Sequence, residues 1–323
     1  MLTVKQIFEL GLKNAILADP RGPEGIKKYL ARVKKEYENM RPNDKEYFDL
    51  DKLSNPYSDS RVHLDDGKTK VKRILAGIDV DSSEILLASQ LNERGKKIDL
   101  VMTHHPVGKT YAKLHETMDM LIEIFVQAGM SVHIAEKLIE ERIKEVGRGV
   151  HPINHYQAID VARILGINLM NTHTITDNLV KVYLENFLKK KQPRTLQDLM
   201  DALLEIPEYE TAKHMGFGPK IFAGSPNHRV GKWLVSMTGG TTPSNKVYKE
   251  LSLAGVSTVI DMHMKEDCID KANENNMNVV IAGHISSDSL GMNLFLDELE
   301  KKGIEIIPCG GLIRVSRVKK GKK

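Results

Sequence analysis

The chain has 323 residues, of which 41% are hydrophobic and 28% are charged, proportions typical of a soluble globular protein rather than a disordered one. A net charge of only +4, together with 5% aromatic residues, argues against a nucleic-acid-binding protein. Two cysteines cannot build a disulfide framework, and no apolar run approaches the roughly 20 residues of a membrane span, so we expect a cytoplasmic protein without a membrane segment.

The first 66 residues predict a helical N-terminal extension. Hydrophobic residues keep helical spacing from Val4 to Ile16, with Thr3 as the candidate N-cap, and a second helix rich in Lys and Glu follows from Gly25 to Met40. Residues 41–69 are polar and rich in turn signals. We expect them to form a long connection or a partner-facing arm that carries no chemistry.

Strands and helices alternate from residue 67 onward, which predicts a mainly parallel sheet covered on both faces. We expect a first α/β lobe over 67–186, a helical connector over 187–230 and a second α/β lobe over 231–323. Both lobes open with a strand, a turn, a helix and a strand that leads to a histidine. A duplication and a generic repeat of the βαβ unit both explain this pattern. A duplication would bring strand ends from both lobes to one cleft.

The sharpest local signal is the pair His104 and His105, which ends an apolar strand before Pro106. Neighbouring side chains of a regular strand point to opposite faces, but Pro106 stops the regular ladder. Both imidazoles can therefore turn into one cavity and serve two metal ions held close together. The alternative is a pair of polar residues that cap a strand.

A second candidate pair is His284 and Asp288, which follow a buried strand and begin an amphipathic helix. Their spacing lets both side chains face one point, and imidazole with carboxylate suits Fe, Mn, Zn or Ni better than Ca or Mg. An aspartate in the first turn of a helix also interacts favourably with the helix dipole, so a structural role for Asp288 stays open.

A third candidate is Asp177, in a segment that begins at His173 after another strand. A carboxylate there suits metal ligation, but Asp-Asn is equally common in turns. His151, His155 and Asp160 lie upstream and could line the same cleft. The glycine turn over 237–243 could present N–H groups to a phosphate, although a tight turn that needs positive φ explains it as well.

The motifs VKRILAGIDV, DLVMTHHP, NTHTITDN and AGHISSD, in this order, resemble the Nif-three-like family (the NGG-interacting factor family). Many members of that family are described as type 2 homologs of GTP cyclohydrolase I. The resemblance runs over about residues 70–317. It implies an α/β fold of two related lobes with a dinuclear metal site in the cleft between them, and a homo-oligomer in the range from dimer to hexamer.

Carried over by motif, the metal ligands of the family fall on His104, His105, Asp177, His284 and Asp288. The resemblance therefore implies two divalent transition-metal ions, of Fe, Zn, Mn or Ni. The family usually has glutamate where this chain has Asp288, so a bridging role at this position would fall to a side chain one methylene shorter.

Two metal ions in a cleft activate water and hold a phosphate or carbonyl oxygen. The leading hypothesis is therefore a metal-dependent hydrolase that acts on a nucleotide or phosphoester and is similar to GTP cyclohydrolase, with His173 and His263 as catalytic residues near the reactive water. The alternative is a non-catalytic metal-handling or ring-scaffold protein. An open coordination position would favour the enzyme, and a site closed by protein ligands would favour the alternative.

Overall fold

Nine strands form two separate sheets in residues 1–319, the part of the chain that the structure, a computed structural model, describes. The strands are β1 (Ser60–Leu64), β2 (Arg73–Gly77), β3 (Leu100–Thr103), β4 (Leu169–Thr172), β5 (Lys220–Ala223), β6 (Trp233–Ser236), β7 (Thr258–Asp261), β8 (Asn278–Ile281) and β9 (Glu305–Cys309). The first sheet has the order β1-β4-β3-β2-β9, and the second has the order β5-β8-β7-β6.

Helices cover both sheets and precede the first. They are α1 (Val4–Ala18), α2 (Gly22–Asn39), α3 (Pro42–Lys45), α4 (Ser82–Glu93), α5 (Lys109–Ala112), α6 (Leu121–Gln127), α7 (Val132–Val150), α8 (Gln157–Leu165), α9 (His173–Lys191), α10 (Leu196–Leu204), α11 (Pro207–His214), α12 (Val247–Leu253), α13 (Glu266–Glu274) and α14 (His284–Glu300). Two 3₁₀ helices span Leu50–Leu53 and Leu114–Met120. Within residues 1–319, none of these helices combines the length and the apolar character that crossing a membrane requires.

Both sheets follow one plan. Three parallel strands are neighbours in chain order, β2-β3-β4 in the first sheet and β6-β7-β8 in the second. An antiparallel strand, β1 or β5, then pairs with the third of them. The predicted α/β fold is confirmed, and the strand, helix and strand pattern that repeats in the sequence corresponds to β2-α4-β3 and β6-α12-β7.

Sheet pairing departs from the predicted lobe boundaries at two places. β1 lies within residues 1–66 but pairs with β4, and β9 lies within 231–323 but pairs with β2. The three parallel strands leave unpaired N–H and C=O groups at both edges, and strands from the two ends of the chain satisfy them. Residues 320–323, the end of the predicted second lobe, lie outside the described residues.

The N-terminal segment, predicted to end in a connection or partner-facing arm, is part of the folded core. Thr3 caps α1 as predicted, since its hydroxyl accepts the backbone N–H of Gln6. Residues 41–69 do not stay on the surface, however, because Tyr57 and Asp59 are fully buried and β1 joins the sheet. The polar composition of this stretch predicted exposure, but its buried polar groups are paired inside the protein.

Two helices form the layer between the sheets. Ile175 of α9 and Phe295 of α14 pack in the core of the first sheet, whereas Val180 of α9 and Leu290 of α14 pack in the core of the second. The helices approach closely at Gly291, where an added Cβ atom would lie 2.5 Å from the carbonyl oxygen of Thr176. This helix pair places its two N-termini, each following a third parallel strand, beside each other.

Candidate metal centre

The candidate site lies where strands end and the two central helices begin. His104 and His105 directly follow β3. α9 begins at His173 after β4, and α14 begins at His284 after β8. Each of these helices carries an aspartate one turn later, so both lobes contribute a histidine and an aspartate from equivalent places in the fold.

Asp288 occupies the centre of this group and has no exposed surface. Its Oδ1 lies 3.4 Å from Nε2 of His104, and its Oδ2 lies 3.3 Å from Nε2 of His105 and 3.4 Å from Nε2 of His284. The two oxygens therefore face different histidines. Nε2 of His105 and Nε2 of His284 are themselves only 3.3 Å apart. Such convergence of nitrogen and oxygen lone pairs is favourable only when a cation or a proton lies among them.

Asp177 and His173 complete the buried side of the site. Oδ1 of Asp177 lies 3.5 Å from Nε2 of His104, and its Oδ2 lies 3.8 Å from Nε2 of His173. Three overlapping groups have ligand atoms within 4.8 Å of one another, and each could hold a metal ion. They are His104, His105 and His173; His105, His284 and Asp288; and His104, Asp177 and Asp288.

Several candidate ligand atoms lack hydrogen-bond partners, whereas the polar groups around them have partners. Four of the nine buried side-chain atoms without a hydrogen-bond partner, among the described residues, belong to His104, Asp177 and Asp288. Neighbouring hydroxyls are satisfied: Ser287 donates to the carbonyl of Gly283, and Thr176 donates to the carbonyl of Thr172. Because buried polar atoms are nearly always paired, the unpaired ones mark a place suited to a cation.

Each ligand-bearing ring from the first sheet and α9 is held at the nitrogen that faces away from the site. Nδ1 of His104 lies 2.9 Å from the hydroxyl of Thr176, and Nδ1 of His105 lies 2.7 Å from Oδ1 of Asp79. The hydroxyl of Thr176 already donates to a carbonyl, so it accepts from the histidine. These contacts leave the Nε2 atoms directed at the site.

The pKa values reflect crowding of buried carboxylates and imidazoles. Burial raises the pKa of Asp177 well above its ordinary value, although His173 acts in the opposite direction. Burial alone would also raise the pKa of Asp288, but His104, His105 and His284 hold it far below its ordinary value. Asp288 is therefore the carboxylate that carries the negative charge.

The pKa values of His104 and His105 also shift in opposite directions. Burial lowers the pKa of His104 to about 4. Burial acts in the same direction on His105, yet the nearby carboxylates of Asp288 and Asp79 raise its pKa to about 10. A cation is thus favoured between His105 and Asp288, and a neutral ring with a free lone pair is favoured at His104.

A cleft opens beside these ligand atoms. Its lining includes His173, Asp177, His263, His284 and the glycine-containing loop after β6. The His263 ring centroid lies 4.4 Å from that of His284, and its Nδ1 is 3.3 Å from the hydroxyl of Thr242. Burial, followed by the nearby His284, lowers the pKa of His263 to about 4, so this ring is neutral at neutral pH.

The structure thus brings together the five residues predicted as ligands and the two predicted as catalytic. It does not bring His151, His155 and Asp160 to the cleft: His151 is exposed, His155 packs edge-on against Tyr111, and Asp160 pairs with Arg163.

Sequence reasoning missed two carboxylates that contact site histidines. Asp79 follows the end of β2, and this strand-end position could have revealed it. Asp59 accepts from Nδ1 of His173 at 2.9 Å and lies in a polar stretch with no local signal.

The fold and the site define an α/β protein of two similar sheets, with a buried histidine and aspartate site that could hold metal between them. The structure is similar to that of a NIF3 superfamily protein from Sphaerobacter thermophilus, with a TM-score of 0.69 and 27% sequence identity over 79% of this chain and 92% of that one. The resemblance to the Nif-three-like family that the motifs predicted is therefore confirmed.

A second similarity concerns the fold alone. Reduced HcgD from Methanocaldococcus jannaschii matches with a TM-score of 0.51 and 15% identity, over 87% of this chain and 97% of that one. No family model and no curated protein matches the sequence.

Proposed function

We propose that the chain binds two divalent transition-metal ions and uses them to hydrolyse a nucleotide or another phosphoester, as the GTP cyclohydrolase-like resemblance implies. The observation that carries the two-ion proposal is the sharing of Asp288. This carboxylate is common to one group with His104 and Asp177 and to another with His105 and His284.

The residues present fit such ions. Imidazole nitrogens and carboxylate oxygens suit Fe, Zn, Mn or Ni, and several of these atoms are buried without a partner. When bound, the ions supply Lewis-acid chemistry and a water of lowered pKa. The protein contributes the fixed orientation of the ligand rings, through the contacts that Thr176 and Asp79 make with the nitrogens facing away from the site.

His263 is the residue that we assign to proton transfer in the cleft. It is neutral at neutral pH, it lines the cleft beside His284, and it belongs to none of the three candidate ligand groups. A neutral imidazole can accept a proton from water and return it to a leaving group. His173, predicted as catalytic, lines the same cleft but also belongs to the candidate ligand group with His104 and His105. We therefore propose that His173 is a metal ligand and does not transfer protons.

A non-catalytic metal-handling or ring-scaffold protein is the second candidate. The number of donors favours it, because six side chains of the chain itself converge on the site. A site filled by protein ligands leaves less room for substrate. The two candidates differ in whether phosphoesters are turned over, and not in whether metal is bound.

The test uses purified full-length protein. Metal analysis of the wild type should give about two ions per chain, and a panel of nucleotides and phosphoesters should show metal-dependent hydrolysis. In the double variant His104→Ala/His105→Ala most of the metal should be lost with the far-ultraviolet circular dichroism retained, since each sheet has its own hydrophobic core.

The control for that variant is His151→Ala/His214→Ala, which removes two exposed histidines. Metal in the double site variant at the wild-type level would disprove the assignment of the site. Two ions without turnover of any substrate would reject the hydrolase and leave the metal-handling function.

We also propose that the chain is cytoplasmic and forms a homo-oligomer. Both cysteines are unpaired in the structure, which suits a reducing compartment. Exposed apolar side chains on the neighbouring helices α4 and α8 support self-association. The further partner is a small-molecule substrate, which the panel of nucleotides and phosphoesters is designed to identify, or, for the second candidate function, a recipient of the metal.

A further inference from the structure

The N-terminal segment supplies a carboxylate to the candidate metal centre. Asp59 precedes β1 and has no exposed surface. Its Oδ2 lies 2.9 Å from Nδ1 of His173 and 2.7 Å from the hydroxyl of Thr174. Its backbone carbonyl accepts the side-chain amide of Asn171 at 2.6 Å. Asp59 is therefore fixed to the end of β4 and the start of α9 by three contacts.

The direction of the hydrogen bond determines the state of the His173 ring. A carboxylate accepts, so Nδ1 of His173 carries the proton that it donates to Asp59. The other nitrogen, Nε2, is then free to offer a lone pair. It lies 3.8 Å from Oδ2 of Asp177. A ring nitrogen of His173 also lies within 4.8 Å of ring nitrogens of His104 and His105.

The surroundings of Asp59 give this contact a role beyond packing. No lysine or arginine side chain in residues 1–319 lies within 4.0 Å of its carboxylate. A buried carboxylate without a cation is costly, so its charge needs compensation through its hydrogen-bonded partners. His173 connects this charge to the site, because its Nδ1 contacts Asp59 and its Nε2 is on the side of Asp177.

We propose that Asp59 is a positioning residue of the metal centre, which fixes the tautomer and the orientation of His173 so that Nε2 is directed at the bound ion. This inference rests on the proposed metal binding and assigns a function to the N-terminal segment. Carboxylates that hold the second nitrogen of a ligating histidine raise the basicity of the ligand and orient its ring. Asp79 contacts His105 in the same way, but its side chain is 71% exposed, whereas that of Asp59 is buried.

The test compares Asp59→Asn with Thr174→Val. The amide of asparagine keeps the size of the side chain but can present N–H groups to Nδ1 and so favour the opposite tautomer of His173. Thr174→Val removes the other hydrogen bond to the same oxygen and leaves the contact to His173 intact. Both variants change the buried surroundings of the same Asp59 oxygen, so an effect on packing alone would appear in both.

Two measurements are made on each protein. Competition with a chromophoric chelator gives the affinity for Zn²⁺, and ¹⁵N spectra of labelled histidine give the protonated nitrogen of His173, with the resonance assigned through His173→Gln. We expect Asp59→Asn to lose affinity for Zn²⁺ by about 10- to 100-fold and to lose the Nδ1–H form of His173. Thr174→Val should keep the affinity within about twofold of the wild type and keep the Nδ1–H form.

Wild-type affinity and tautomer in Asp59→Asn would overturn the inference, as would equal losses in Thr174→Val. If Asp59→Asn does not fold, the wild-type spectrum decides: a His173 ring protonated at Nε2, in metal-free protein at alkaline pH, would contradict the proposed role. Failure of the proposed function is recognised separately, because it appears in the wild type as absence of metal or of turnover.

Discussion

Asp288 differs from Asp177, the other candidate carboxylate ligand, in that its oxygens approach three ring nitrogens instead of two, at 3.3–3.4 Å instead of 3.5 Å and 3.8 Å. As a helix cap, it would need backbone N–H groups as partners, but neither oxygen has a hydrogen-bond partner in the structure. The structure therefore places Asp288 among the candidate ligand atoms, and its role as a ligand is part of our proposal. The shorter aspartate side chain is sufficient to reach the three histidines.

Substitution of Asp288 should change metal affinity strongly. Asp288→Asn replaces a charged ligand by a neutral amide of the same size, and we expect a loss of at least about tenfold in affinity for one ion. We expect Asp288→Glu to weaken binding as well, because an added methylene would push the carboxylate toward ring nitrogens that are already 3.3 Å and 3.4 Å away. Metal content and competition affinity of the three proteins provide the measurement.

Asp270→Asn serves as the control for these variants, since Asp270 is an exposed aspartate of α13. An affinity of Asp288→Asn equal to that of the wild type would return Asp288 to a structural role. A Glu variant that binds more tightly than the wild type would show that the site is not built around the shorter side chain.

At the scale of elements, the site depends on how closely α9 and α14 pack. Thr176 of α9 holds the His104 ring with its hydroxyl, and its backbone carbonyl meets Gly291 of α14. The glycine needs no unusual backbone angle there, so its role is the space that it leaves. A change in the distance between the helices would therefore also displace a contact that orients a candidate ligand.

Gly291→Ala tests this dependence. Its Cβ atom would lie 2.5 Å from the carbonyl oxygen of Thr176, which is too close for any real contact. We expect the separation of the helices to cost about 1–3 kcal/mol of the free energy of unfolding, and metal affinity to fall with it. Denaturant unfolding and chelator competition provide the measurements.

Gly149→Ala in α7 is the matched control, because an added Cβ there meets nothing within 4 Å. Alanine favours the helix over glycine, so this variant should be neutral or slightly more stable. Stability in Gly291→Ala equal to that in the control would show that the two helices can separate without cost.

The parts of the site that the sequence predicts are those made locally. His104 and His105 end a strand, and the pair His284 and Asp288 spans one helical turn, so their geometry follows from a few neighbouring residues. Asp59 could not be predicted, because it meets His173 across 114 residues and nothing near it in the chain indicates that contact. Pairing of β9 with β2 joins residues still further apart, such as Arg73 and Glu305, and hydrophobic patterns do not specify such partners.

At the scale of the whole molecule, the two sheets share a plan but contribute unequally to the site. The first provides His104 and His105 after its second parallel strand, whereas the equivalent strand of the second sheet ends at Asp261 and leads to His263. His263 lines the cleft without joining a ligand group. At this position of the repeat, the first half thus provides two candidate ligands and the second provides a wall of the cleft, although both halves contribute a histidine and an aspartate through α9 and α14.

The same scale governs assembly. α4 and α8 pack side by side over the first sheet and leave apolar side chains in solvent, with Ile164 79%, Leu86 48% and Leu87 40% exposed. Exposed apolar side chains on two adjacent helices favour a protein contact. We expect the protein to elute, and to scatter light, as a dimer or larger assembly with a mass well above the 36.3 kDa of one chain.

Ile164→Glu should shift this assembly toward the monomer, because a charge among the exposed apolar side chains of α4 and α8 opposes their burial. Leu253→Glu is the control, since Leu253 is similarly exposed at 74% but lies at the end of α12, away from α4 and α8. Light scattering over a range of protein concentrations measures both variants beside the wild type. A wild-type chain that stays monomeric at micromolar concentration would disprove self-association, and dissociation by Leu253→Glu with none by Ile164→Glu would move the contact to the second sheet.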